Sequence, residues 1–257
     1  MLPEAEPWSS RFFPEVVVLA RGRVRVLEGE RVAGAIGRML ERFHVTSGVR
    51  VRVASANCED GPMLVQANLR IAGNAARMQS LTGGHSNIFP AVSRLEHQIR
   101  CLSGPWRPRA WPEDTRRPLT LPGRNPIARR KAVPLRTLDP LAAVQLMDAM
   151  DYDVHLFVDA ETGEDAIVYR AGPSGLKLAR QHHVNPPDSQ PDSERLTISP
   201  VPAPVSAEAD AVHRLCDHGL PFLFYTDRDT GRGHLLYRRY DADLTLVTPA
   251  TDRASRP

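Results

Sequence analysis

Apolar residues recur along this chain with two periods, and each period predicts a different element. Residues 14–26 open on Val16-Val17-Val18-Leu19 and continue with Arg21, Arg23 and Arg25 at alternate positions. That pattern predicts a strand with its three arginines on one face. Residues 28–44 carry Val32, Ala35, Ile36, Met39, Leu40 and Phe43 at helical spacing, which predicts an amphipathic helix. Residues 48–54 alternate as Val49-Arg50-Val51-Arg52-Val53, and residues 63–71 alternate again. Gly73-Asn74 marks a tight turn into a fourth strand at 75–81. Residues 87–102 return to the helical period, with Ile88, Val92, Leu95 and Ile99 on one stripe. The order β-α-β-β-β-α predicts an α+β domain, a four-stranded sheet with two helices on one face.

The periodicity stops at Pro105. Seven prolines precede residue 135, starting in Trp106-Arg107-Pro108-Arg109-Ala110-Trp111-Pro112, a composition that predicts an extended connector. Beyond it one block occurs twice, 68 residues apart. Asp159-Ala-Glu-Thr162-Gly163 leads to Tyr169-Arg170, and Asp227-Arg-Asp-Thr230-Gly231 leads to Tyr237-Arg238. The register reaches upstream, where Ala143-Val144 matches Ala211-Val212. The first copy predicts a strand at 132–136, a helix at 139–150 and strands at 154–159, 166–170 and 176–179. Asp139-Pro140 supplies an N-cap and a proline in the first turn. The second copy runs from Leu196 to Val247 in the same order, with Ser206 as its N-cap. Each unit therefore reads β-α-β-β-β. Two such units do not make a solenoid, which needs at least three.

Charge divides the chain further. Residues 1–104 hold 13 arginines against nine acids, residues 105–134 hold eight basic residues against two acids, and residues 135–257 hold 12 against 19. A basic front, a strongly basic tether and an acidic tail point to a polyanionic partner for the front, most simply nucleic acid. Lys131 and Lys177 are the only lysines among 33 basic residues. Arginine suits phosphate and base contact, although a coding bias towards arginine explains the excess equally well. Cys58, Cys101 and Cys216 are odd in number and show no zinc spacing. With no signal-like start and no long apolar run, the expected location is the cytoplasm.

The candidate chemistry is binding. His182-His183 sits in a polar linker without ligand spacing, Gly83-Gly84 lacks the context of a phosphate loop, and no nucleophile-base or paired-carboxylate arrangement appears. The expectation is no enzyme, no cofactor, no metal and no small-molecule substrate. Trp106 and Trp111, interleaved with Arg107 and Arg109, could stack on unpaired bases; docking on the front domain is the alternative. Thr162-Gly163 and Thr230-Gly231 read as hairpin chemistry.

Three features resemble the long form of the bacterial ribosome hibernation promoting factors. They are the β-α-β-β-β-α front ending in Arg94-Leu95-Glu96-His97-Gln98-Ile99-Arg100, the basic entry Ile127-Ala128-Arg129-Arg130-Lys131, and the Asp-x-x-Thr-Gly turn followed by Tyr-Arg. The resemblance implies that the front binds the 30S subunit and 70S ribosome, through 16S rRNA and small-subunit proteins. It implies that the front blocks the channel for mRNA and the tRNA anticodon ends, and that the C-terminal module pairs with its copy on another ribosome. Three departures stand out: arginine replaces the family's helical lysines, the second helix is about one turn short, and the C-terminal module is doubled.

On this reading residues 1–104 form the ribosome-binding domain and 105–131 a basic linker. Residues 132–181 and 196–250 are the two modules, joined by 182–195, and 251–257 are a disordered tail. Contacts to rRNA are expected from Arg21, Arg23, Arg25, Arg77, Arg94, His97 and Arg100. The tether would add Trp106, Arg107, Arg109, Trp111, Arg116, Arg117, Arg124, Arg129, Arg130 and Lys131. Module pairing is expected through Phe157, Tyr169, Tyr225 and Tyr237. Because the two modules share a chain, an internal pseudo-dimer is favoured over a homodimer, and no membrane partner is expected. The alternatives are a general RNA-binding stress regulator acting off the ribosome and a modulator of sigma-factor activity in transcription.

Overall fold

The computed structural model describes residues 8–9, 15–55, 63–82, 87–109, 127–184, 196–239 and 243–250. The chain divides into two compact units. One comprises residues 1–109, 113–117 and 148–151; the other comprises 110–112, 118–147 and 152–257.

In the first unit, β2 (Val16–Arg21), β3 (Val49–Ser55), β4 (Met63–Ile71) and β5 (Asn74–Leu81) form the sheet in chain order, extended by the two-residue β1 (Trp8–Ser9). Strands β2 and β3 are parallel, with α1 (Val26–Arg42) crossing between them, and the others are antiparallel. Ile71 pairs with Asn74 across a turn whose central residues, Ala72 and Gly73, both have positive φ, 48° and 81°. That conformation matches the right-handed strand twist. α2 (Phe89–Leu102) closes the domain. Alternation buries Val49, Val51 and Val53 together with Met63, Val65, Ala67 and Leu69 on one sheet face. Val32, Ile36 and Leu40 of α1 and Leu95 and Ile99 of α2 complete that core. Each such aliphatic side chain stabilises by about 1.5–3 kcal/mol when fully buried.

The expected strand over residues 14–26 ends early. Gly22 turns the chain at φ +80°, and a Cβ there would lie 2.7 Å from the Ser55 carbonyl oxygen. Helix α1 starts two residues before its expected position, and the Arg25 N–H donates to the Glu28 carboxylate at 3.0 Å. His44, at φ 52°, stops the helix as the Val45 N–H reaches back to the Leu40 carbonyl at 2.9 Å.

The second unit holds both repeats apart from residues 148–151, and the 68-residue offset aligns their elements. The first repeat has β6 (Ile127–Val133), β7 (Thr137–Leu138), α3 (Pro140–Ala149), β8 (Val154–Asp159), β9 (Asp165–Arg170) and β10 (Leu176–Arg180). The second has β11 (Leu196–Ile198), β12 (Val205–Ser206), α4 (Glu208–Asp217), β13 (Phe222–Asp227), β14 (Gly233–Arg238) and β15 (Leu244–Pro249). Asp139 caps α3 as expected, accepting the Ala142 N–H at 2.9 Å. Ser206 does not cap α4: the N-cap is Ala207, and the Ser206 hydroxyl donates to its carbonyl at 3.0 Å.

The sheets are built by exchange. Their orders are β11-β10-β9-β8-β7 and β12-β13-β14-β15-β6. The opening strand of each repeat thus leaves its own repeat and lies parallel to the last strand of the other, Leu176 opposite Leu196 and Val247 opposite Lys131. The opening strand of the first repeat is also displaced from the expected 132–136 to 127–133. Each sheet is therefore completed by the other repeat. Between them lies an apolar layer with Leu156 and Ile167 from one repeat and Phe224 and Leu235 from the other.

Candidate nucleic-acid interface

Arg21, Arg23 and Arg25 are exposed but do not share a strand face, because the chain leaves β2 at Gly22. Arg21 ends the strand, Arg23 lies in the connection, and Arg25 stands at the N-cap of α1.

The outer surface of the helices is basic and partly apolar. Arg31 and Arg38, both exposed, line a groove of about 390 Å³ with Leu27, Glu30, Gly34, Ala35 and Ile88. Leu27 and Phe89 are 65% and 72% exposed. At the C-terminal ends of the two helices the guanidinium groups of Arg42 and Arg100 lie 5.5 and 5.6 Å from the Phe43 ring centroid. Glu96 offsets part of that charge, 3.7 Å from Arg42 and 2.5 Å from Arg100. Cation–π contact holds two flexible side chains in place while leaving their edges open to an anion.

The sheet face without helices carries Arg77, selected from the sequence, together with Arg50 and Arg52, which sequence reasoning did not select. Arg50, Asn68 and Arg77 form one row across β3, β4 and β5, and Arg52, Gln66 and Gln79 form the next. Arg77 and Gln66 both donate to the Gln79 side-chain oxygen, at 2.8 and 2.7 Å. The signal was available in Val49-Arg50-Val51-Arg52-Val53, whose alternation places both arginines opposite the valines.

Arg94 departs most from expectation. It is 1% exposed and paired with Asp151, which also accepts the Gln79 backbone N–H at 2.8 Å. Gln98 is buried too and donates to the carbonyls of Asp148 and Ala149 at 2.8 and 3.0 Å. The Arg109 side chain is buried on Gln98 and the Asp148 carbonyl, and the Trp106 indole donates to the Asp148 carboxylate at 2.9 Å. Removing charged groups from water requires such partners, so Arg94, Arg109 and the Trp106 N–H are committed inside this unit. His97 is half-buried with its ring 3.4 Å from the Cys101 sulfur, and Arg107 is exposed.

In the second unit Arg129 is exposed on β6. Arg130 forms a two-pronged pair with Glu208 at 2.5 and 2.6 Å, which raises the arginine's pKa and lowers the glutamate's. The Lys131 ammonium donates to the Tyr237 hydroxyl at 3.0 Å. Trp111, Arg116, Arg117 and Arg124 lie outside the described residues. The paired turns are built alike: the Gly163 and Gly231 N–H groups, at φ 71° and 66°, donate to the carbonyls of Asp159 and Asp227 at 2.8 and 2.9 Å. Tyr169 and Tyr237 pack against the apolar layer shared by the repeats. Tyr225 instead belongs to the core of its own repeat, with Leu215, Leu236 and Leu246. Phe157, at the equivalent position, is fully buried in β8. The His182 and His183 backbones both donate to Glu164, and the His183 ring lies 2.5 Å from it. Burial would raise that carboxyl's pKa, but these hydrogen bonds outweigh it and hold the group ionised.

The chain is 53% identical over 253 residues to the dormancy associated translation inhibitor of two Mycobacterium tuberculosis strains, CDC 1551/Oshkosh and ATCC 25618/H37Rv. The match spans 96% of this chain and 93% of each relative. Residues 123–176 match the family model described as sigma 54 modulation/S30EA ribosomal protein C terminus. The chain belongs to the long-form hibernation promoting factor family. The family match begins before β6 and stops at the first residue of β10. It covers most of the first repeat and none of the second, whereas the match to the two relatives runs along 96% of this chain. Among the described residues no helix is long and apolar enough to cross a membrane.

Proposed function

We propose that this protein silences translation by binding the small ribosomal subunit in the path of mRNA and tRNA. Identity of 53% along 96% of the chain to a dormancy associated translation inhibitor carries the reading. Two features support it. The helices present Arg31 and Arg38 on an apolar groove and Arg42 and Arg100 beyond it, and the open sheet face of the first unit presents Arg50 and Arg52. Arginine and apolar surface together fit folded RNA, which offers phosphates and unstacked bases. Blocking a channel needs only shape and charge, so no bond is made or broken. Strand exchange between the repeats supports the second part of the reading. A pair formed within one chain has a high effective concentration and occupies the surface through which two ribosomes could be joined. The silenced particle is then a single 70S ribosome in the cytoplasm.

The test is competition on purified 30S subunits carrying a labelled short mRNA and initiator tRNA. Near-equimolar protein displaces both ligands, and the Arg31→Glu/Arg38→Glu variant needs about tenfold more protein, in keeping with the loss of phosphate contacts. Retention of mRNA and tRNA at saturating protein contradicts the proposal. The family description also names sigma 54 modulation; inhibition of transcription without any effect on purified ribosomes would favour that second reading.

A further inference from the structure

The two repeats are related by a constant offset of 68 residues, so every residue at their interface has an equivalent in the other repeat. Equivalent positions would match if the interface were that of a symmetric dimer folded into one chain. They do not.

The polar contacts run one way. Asp165 of the first repeat accepts from the Arg232 guanidinium at 2.8 and 3.0 Å and from the Gly233 N–H at 2.7 Å. The equivalent of Asp165 is Gly233 itself, and the equivalent of Arg232 is Glu164. Gln181 donates to the Thr226 hydroxyl at 3.1 Å and to the Gly231 carbonyl at 3.0 Å. The equivalent of Gln181 is Pro249, which ends in a ring without a donor, and the equivalent of Thr226 is Val158, which has no hydroxyl. The fit at Gly233 is steric as well. A Cβ there would stand 2.6 Å from the Asp165 Cβ and 2.8 Å from the Phe224 ring.

The apolar layer has diverged in the same direction. Val154, Leu156 and Ala179 of the first repeat are equivalent to the larger Phe222, Phe224 and Val247 of the second. The order reverses only at Leu135, opposite the smaller Ala203. Two first-repeat faces would set Asp165 and Glu164 against each other and leave space where the phenylalanines belong. Two second-repeat faces would crowd four phenylalanines and leave Arg232 facing glycine. Cavities, overpacking and like charge are each unfavourable.

We infer that the repeats form a directional interface, in which the first repeat accepts only the second and rejects a copy of itself. This deepens the pairing part of the proposed function. Proximity in one chain favours the internal pair, and the chemistry of the two faces separately excludes the like-with-like pairing by which two chains could be joined. Complementarity combined with repulsion between the wrong partners is how specific interfaces discriminate.

The test uses the full chain and no ribosomes, so its outcome is independent of whether the protein binds them. Phe224→Leu, which installs the first repeat's residue and makes room, serves as the background. Adding Gly233→Asp makes both faces present an aspartate, and that variant is expected to melt about 5 °C or more below the background. Adding Asp165→Gly, Glu164→Arg and Arg232→Glu to it exchanges the whole cluster, rebuilds the knob and hole with sides reversed, and at least half of the loss returns. Sedimentation velocity of the Phe224→Leu/Gly233→Asp variant gives no stable dimer. If the first variant fails to fold at all, recovery in the second still decides. No loss, loss without recovery, or a stable dimer of like faces overturns the inference.

Discussion

Arg94 and Arg100 lie on α2 within two turns of each other, and their surroundings give them opposite roles. Arg100 is exposed over Phe43 and retains donors for an incoming anion, whereas Arg94 is enclosed with Asp151. The sequence could not distinguish them. Both are arginines in the same motif, and the partner that buries Arg94 lies 57 residues away. The same limit applied to His155, an unremarkable strand residue until its neighbours are known. Its ring stacks between Tyr152 and Phe157, with centroids 6.3 Å away on each side, and its Nε2 lacks a hydrogen-bond partner. Burial, reinforced by the charge of Arg136, pushes its pKa down to about 4. The unfolded chain binds that proton more tightly, so this residue's contribution to stability is full above about pH 6.5 and is lost as pH falls towards 4. The loss is on the order of 3 kcal/mol. His155→Leu is therefore expected to flatten the decline of the urea midpoint between about pH 6.5 and 4.5. A variant whose acid limb parallels that of the unmodified protein would contradict the assignment.

Element types followed from periodicity because period two and period 3.6 bury different positions. The helices and strands of both repeats lie close to where the alternation puts them. What the pattern does not encode is the edge that an opening strand joins. Ile127–Val133 reads as the start of its own repeat yet completes the sheet of the other, since an edge strand is recruited by the backbone of whichever neighbour lies beside it. Gly22 shows a second limit: alternation of Arg21, Arg23 and Arg25 continued past the point where close approach to Ser55 had already bent the chain. The exchange has a measurable consequence. Ile127 packs on the core of the second repeat, a cluster that includes Leu215 and Tyr225. Ile127→Ala is therefore expected to speed amide exchange in residues 244–249 and to leave residues 176–180 unchanged. Faster exchange confined to the first repeat's own strands would mean that β6 belongs to that repeat instead.

At the scale of the whole chain, charge and architecture divide the work. Arginine is concentrated in residues 1–134 and acid in residues 135–257, so an RNA surface attracts the front and repels the tail. On the proposed reading the basic front engages phosphate, while the repeats close on each other through exchanged strands, one of which, Ile127–Val133, comes from the basic segment. This separation was legible from composition before any element was placed, and the duplication was legible from the repeated Asp-x-x-Thr-Gly turn. The direction of the repeat interface was not, because it depends on which equivalent positions meet in space. The central claim is that a single chain silences a single ribosome. Sedimentation of the purified protein with 30S, 50S and 70S particles through sucrose gradients, at low and physiological salt, tests it most directly. Co-migration with 30S and 70S near one-to-one, binding that weakens as salt rises, and no 100S peak are expected. A 100S peak at near-equal stoichiometry would contradict the internal pairing, and protein left at the top of the gradient at physiological salt would contradict ribosome silencing itself.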